Sequence, residues 1–301
     1  MTKHSIAAAC TLTLAAFGFS STSYAGVDGK DVKEVKELKE VVKESCITGD
    51  IGVQVVSSYV SRGSFLEDQG LIAQPYLDLY FKLYEGDGFI NNVSLALGLW
   101  SSLHSEKTQQ GAATGTGTST TPSWYEFDYT VGINTTFAKN FTLGLTYLEF
   151  NYPNDNFGTQ RLGQAKLSYN DADLLGKFAL NPYVKYEYYF ENPDGGQYFE
   201  AGITPGVDVG PVRLNFPIVG GFGASNFYGR GGFAYVSGGV VASYSLGFVP
   251  ECYGKWAINA GYTFYYLDQG NSLDTFNTGA GGVRNADDTE NVFSGGIGLV
   301  F

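Results

Sequence analysis

The stretch FSGGIGLVF, residues 293–301, sets Phe293, Gly295, Ile297, Leu299 and Phe301 on one face of an extended chain and Ser294, Gly296 and Gly298 on the other. A period of two over nine residues is the mark of a strand with one apolar face, and the strand stops on an aromatic. The same alternation recurs upstream in short runs separated by turn residues. The chain is 16% aromatic with 41 Gly, and Tyr and Phe number 22 each, the composition expected of many alternating strands. Downstream of the first 25 residues no run reaches the ~18 consecutive apolar residues that a membrane helix requires. Charge also discriminates: the net charge of −12 excludes a phosphate-binding surface, which needs clustered Lys and Arg.

Counting back from Phe301, twelve strands fit between Gly49 and the C-terminus. The first, GDIGVQVVSSYVSRG, reads as one strand with Ile51, Val53, Val55 and Tyr59 on the apolar face and Gln54, Ser58 and Arg62 opposite. In WYEFDYTVGINTTF the apolar face is Tyr125, Phe127, Tyr129, Val131 and Ile133, and the other carries Glu126, Asp128, Thr130 and Asn134. LGQAKLSYN is short and weak, and Pro205 and Pro217 imply bulges in the eighth and ninth strands, because Pro has no ladder donor. Charge keeps to one side of the pleat. On that side stand Arg62, Asp78, Lys82, Glu126, Asp128, Lys166, Lys185, Glu187, Glu200, Asp208 and Arg213, a mixed set with a slight acidic excess.

A polar face directed inward and an apolar face directed outward is the pattern of an antiparallel up-and-down transmembrane β-barrel; a secreted β-sandwich shares the alternation but buries its apolar face. Connection lengths favour the barrel. With Gly49 on the periplasmic side, connections 63–72, 104–123, 152–161, 191–196, 224–231 and 268–290 fall outside, while 85–90, 138–140, 171–179, 210–211 and 247–255 fall inside. The long polar loops thus share the extracellular side, the asymmetry such barrels have. Tyr59, Tyr84, Trp124, Tyr125, Tyr147 and Trp256 near strand ends read as interfacial girdle residues.

The N-terminal part divides into two. Residues 1–25, with Lys3, an apolar stretch from Ile6 to Phe19 and Ser23-Tyr24-Ala25, form a secretory signal cut before Gly26. Too few apolar residues precede Cys10 for a lipoprotein signal. Residues 26–48 contain a periplasmic amphipathic helix over 27–45: Val32, Val35, Leu38 and Val42 line one face, and Lys30–Glu34, Lys33–Glu37 and Lys36–Glu40 are i,i+4 pairs in the weaker order. So short a helix is marginal alone and calls for a support: the barrel mouth, a neighbouring subunit or a periplasmic partner. The barrel proper is 49–301. Past the signal, only Cys46 and Cys252 remain, an even count in an oxidising compartment, and this topology brings both to the periplasmic rim, where a Cys46–Cys252 disulfide would anchor the helix.

The terminal strand resembles the terminal sorting strand of bacterial outer-membrane β-barrels. VSSYVSRGSFLEDQGLIAQPYLDLYFKL followed by ALGLWSS is similar to the opening of a family of bacterial outer-membrane porin-like proteins of uncharacterised function; its short motifs are Ser61, Arg62, Gly63 and Gly98, Trp100, Ser102. That resemblance implies a barrel and passive transport, and supplies no substrate. The residues and the resemblance together give an outer-membrane channel for small hydrophilic solutes with weak cation preference. Its partners are membrane lipid, lipopolysaccharide and the solutes. The alternative is a closed barrel whose extracellular loops bind a ligand or surface partner. Enzymatic equipment is lacking: past the signal the one histidine, His104, next to Ser105, has the inward parity of Trp100 and Ser102, whereas a barrel phospholipase needs Ser, His and a polar orienter on the lipid side. Carboxylate pairs such as Glu126 and Asp128 read as pore wall, and no complete Ca²⁺ loop, other metal site or cofactor motif is seen.

Overall fold

The computed structural model describes residues 45–68, 70–106, 124–153, 158–191, 194–224, 227, 231–268 and 289–301. The signal sequence and all of the 27–45 helix but Ser45 lie outside the described residues. The strands are β1 (Ile47–Val56), β2 (Tyr59–Ser61), β3 (Ser64–Glu67), β4 (Ile72–Glu85), β5 (Ile90–His104), β6 (Glu126–Phe137), β7 (Phe141–Asn151) and β8 (Gln160–Tyr169). They continue with β9 (Tyr183–Glu191), β10 (Gln197–Ile203), β11 (Gly206–Val209), β12 (Val212–Asn215), β13 (Ile218–Ala224), β14 (Gly232–Ser245), β15 (Lys255–Leu267) and β16 (Thr289–Val300). One short helical turn, Ala172–Leu175 running into Gly176–Phe178, fills the β8–β9 connection.

All except β2 and β3 form one antiparallel sheet that closes on itself into a twelve-stranded barrel. The count is twelve because β10 with β11, and β12 with β13, are each one barrel strand interrupted at Pro205 and Pro217. Where the ring has no amide to give, the ladder breaks and resumes. Closure falls between β1 and β16, with Ile51 opposite Leu299 and Val53 opposite Ile297. The final residue extends it: the Gly49 and Phe301 amides donate to each other's carbonyls at 2.9 and 3.0 Å. Gly49 has no side chain for a reason, since a Cβ there would stand 2.6 Å from the Asp78 carbonyl oxygen and 2.9 Å from the Phe301 ring.

The exterior is apolar around the ring. Leu99, Val131, Leu145, Leu167, Val184, Phe199, Ile218, Val236, Ile258 and Phe293 are all exposed large hydrophobics on successive barrel strands. A belt of this extent far exceeds the patch a water-soluble monomer tolerates, and a closed sheet has no edge left to satisfy, so lipid is the solvent of this face.

Three expectations need correction. The first strand does not run to Gly63: it ends at Val56, bends at Ser57-Ser58, and residues 59–67 form a separate hairpin, β2–β3. Tyr59 and Tyr125 are not girdle residues; both are buried, because the bend reverses the first and the second precedes β6 and turns onto His104. Cys46 and Cys252 are exposed and unbridged. Cys46 adjoins β1 and Cys252 adjoins β15, with β16 between them, so at ~4.8 Å per strand they stand farther apart than a disulfide spans. Alkylation of the folded, unreduced protein should therefore label both thiols; recovery of a Cys46–Cys252 peptide cross-link would contradict this arrangement.

Candidate pore constriction

Inside the barrel lies the β2–β3 hairpin. The local sequence YVSRGSFLE sets two alternating trios about Arg62-Gly63, and both of these residues take positive φ, 51° and 83°. That is the two-residue turn that matches the twist of a hairpin, with Gly at the position where a side chain is most costly. Ser61 pairs Ser64 across the turn. A Cβ on Gly63 would lie 3.2 Å from the Ala234 Cβ, so the tip rests directly on β14.

Three hairpin side chains, Tyr59, Arg62 and Phe65, are held by inward residues of the wall. Near its base, the Tyr59 hydroxyl donates to Glu126 at 2.8 Å, and its ring lies 5.6 Å from Trp100 and 6.2 Å from His104, which stacks on Tyr125 at 4.5 Å. At the tip, Arg62 makes a two-pronged bond to Glu187, Nε to Oε2 at 2.7 Å and a terminal nitrogen to Oε1 at 3.2 Å. Its guanidinium also lies over the Phe150 ring at 4.8 Å. On the far arm Phe65 is buried in a cluster with Tyr198, Ala234, Tyr235 and Leu267. Burying one such side chain contributes about 2 kcal/mol.

The charges beneath the hairpin form one connected network. Glu187, fully buried, also accepts from Tyr189 at 3.3 Å and lies 3.5 Å from Lys185. Lys185 in turn sits 3.0 Å from Glu200. Glu200 completes its lone pairs with the hydroxyls of Tyr183 and Tyr198, both at 2.8 Å, and Tyr235 at 3.1 Å. Arg62 and Lys185 thus balance Glu187 and Glu200 in a site largely withdrawn from water, where an unpaired carboxylate would cost several kcal/mol.

The sequence-derived inward set divides on this structure. Glu126, Asp128, Lys185, Glu187 and Glu200 all point inward and are buried, gathered with Arg62 around the hairpin. Asp78 is inward and half-buried, opposite Asp50 on β1. Lys82 pairs with Glu85 at 2.7 Å near the end of β4, and Arg213 with Asp208 at 3.1 Å, an Asp that is 70% exposed; neither pair belongs to the central cluster. Tyr59, Phe65, Tyr198 and Tyr235 join the site beyond the charged set that parity identifies. The available signal was a turn-compatible Arg-Gly between two short alternating trios, hidden because the same residues also continue the parity of the first strand.

Ser102 Oγ and His104 Nε2 stand 2.8 Å apart, the pair is buried, and among the described residues His104 Nδ1 has no hydrogen-bond partner. Among the described residues no carboxylate completes the pair into the three-membered set of acyl transfer.

No protein-family model matches the chain, and no curated protein matches it. Among solved structures it is similar to the NanC porin, at 14% identity over 83% of this chain and 98% of that one with a TM-score of 0.43. It is also similar to the KdgM porin solved in complex with disordered oligogalacturonate (8%, 84% and 99%, 0.41). A third is the COG4313 outer membrane channel from Pseudomonas putida F1 (12%, 92% and 100%, 0.45). The likeness is one of barrel architecture. With its closed ladder and lipid-facing belt, the chain is a bacterial outer-membrane β-barrel.

Removing the Arg62 side chain leaves Glu187 buried with only Lys185 and Tyr189. Arg62→Ala should therefore lower unfolding stability by about 3 kcal/mol in a urea titration of the refolded barrel, with Arg62→Lys losing less. Equal stability of all three proteins would show that the ion pair does not hold the hairpin.

Proposed function

We propose that this barrel is a porin-like channel through which small hydrophilic solutes diffuse, narrowed by the docked β2–β3 hairpin. The observation that carries the reading is the hairpin itself. An eight-stranded barrel is filled by its own side chains, whereas twelve strands enclose more space than their walls occupy, and here a segment folds inward to take up part of it. Polar and ionic contacts hold it at Glu126 and Glu187, and such contacts can exchange for water more readily than a packed apolar core. A closed barrel that serves only to display its loops would be expected to fill with apolar side chains.

The same reading gives weak cation preference. Around the hairpin, acids and bases largely neutralise one another, while the inward carboxylates of Asp50 and Asp78 stand opposite each other on β1 and β4. At 0.1 M salt such fields decay over ~10 Å, so selectivity should be modest and strongest at low salt. Lipopolysaccharide is the outer-leaflet neighbour on this reading, and the amphipathic 27–45 segment packs on a periplasmic or subunit partner.

The test is purified protein in a planar bilayer under a salt gradient. Small ohmic currents with a reversal potential on the cation side are expected, and Asp78→Asn should move that potential toward zero. Absence of current from protein that still shifts on gels with boiling would favour the closed, loop-binding alternative.

A further inference from the structure

Charge on the described barrel strands faces the lumen except at one place, the extracellular ends of β7, β8 and β9. Glu149 and Arg161 stand there on the outward face, since Leu148, Phe150 and Leu162 beside them are the inward, buried residues. The register of β9 slips by one at Phe190 and turns Glu191 to the same side, so Arg161 lies between two carboxylates, opposite Glu149 on β7 and Glu191 on β9. Its Nε donates to Glu149 Oε2 at 2.9 Å, and a terminal nitrogen donates to Glu191. Two tyrosines frame the trio: the Tyr147 hydroxyl donates to Glu149 Oε2 at 2.9 Å, and that of Tyr129 bonds the same carboxylate.

The height of the trio follows from the strands. At the periplasmic ends of β6, β7 and β8, Phe137, Phe141 and Tyr169 form an outward aromatic row with ring centroids 5.6 and 4.6 Å apart. From Phe141 to Glu149 the chain climbs roughly 20 Å, at ~3.4 Å per residue and a tilt of ~40°, close to the ~25 Å of an apolar band. The trio therefore stands at the outer edge of the hydrocarbon, among the headgroups, where charge costs little. Its two bonds to carboxylates engage only part of the guanidinium donor fork, and the Arg161 and Glu191 side chains remain 43% and 48% exposed. One guanidinium against two carboxylates leaves negative charge unbalanced. The ligand that suits this is an anion that brings its own divalent cation.

Resting on the outer-leaflet neighbour named above, we propose that Glu149, Arg161 and Glu191 seat a lipopolysaccharide phosphate together with a divalent cation. Arg161 donates to the phosphate oxygens, and the cation joins the phosphate to Glu191, with oxygen as the ligand on both sides. Glu149, held by Tyr129 and Tyr147, fixes the guanidinium in place before the lipid arrives.

The test uses the refolded full-length protein in detergent, with purified lipopolysaccharide as the probe and Mg²⁺ or a chelator present. The parent should retain lipopolysaccharide with Mg²⁺, release it to the chelator, and bind the dephosphorylated lipid severalfold more weakly. Arg161→Gln and Glu191→Gln should each weaken retention about tenfold, the loss of one charge-assisted contact, while still shifting on gels with boiling. Asn291→Ala, on the outward face of β16, should bind as the parent does. A parent that retains no lipopolysaccharide removes the neighbour and the site together. Retention that is unchanged in both trio variants, or equal for the dephosphorylated lipid, overturns the site alone, as would loss of a larger native assembly in Arg161→Gln with lipopolysaccharide still held, which assigns the trio to contact between copies of the chain.

Discussion

Everything in this molecule follows from closing an alternating sheet in lipid. Once β1 and β16 are joined, no strand edge remains, and each residue has only two directions, into lipid or into the lumen. Charge cannot face lipid, so parity forces it inward. Twelve strands then gather carboxylates and amines within one interior, where those close together must either be hydrated or be paired. The hairpin resolves this at one level of the barrel: Arg62 and Tyr59 supply the donors that Glu187 and Glu126 need, and Phe65 supplies the apolar contact that holds the arm in place.

The arrangement also explains why polar residues dominate the contacts of the hairpin. A loop sealed by apolar packing alone would turn the barrel into a filled core, with water excluded for good. The connected chain Arg62–Glu187–Lys185–Glu200 instead keeps its members fully bonded while docked and offers each a hydrated state if the hairpin shifts.

Most of the barrel was legible in the sequence, because a period of two over ten residues with charge on one side is a direct consequence of the architecture. Strand number, the inward direction of Glu126, Asp128, Lys185, Glu187 and Glu200, and the interruptions at Pro205 and Pro217 all come from that rule. The hairpin was not legible for the same reason. Tyr59 and Ser61 continue the parity of β1, and only the Ser57-Ser58 bend, a tertiary decision, turns them inward. Tyr125 departs from the girdle position that parity gives it for a related reason, since a residue just before a strand is not bound by the pleat. Parity also cannot say how wide a barrel is at the rim, so it placed Cys46 and Cys252 closer together than the intervening β16 allows.

The central claim is that residues 59–67 occupy the bore and set its width. Replacing them with a short Gly-Ser link that joins Ser58 to Asp68, then comparing single-channel conductance with the parent protein, tests it most directly. The account predicts a heat-modifiable barrel with a β-rich circular dichroism spectrum and a severalfold larger conductance. A variant that folds in the same way and conducts no more than the parent would contradict it.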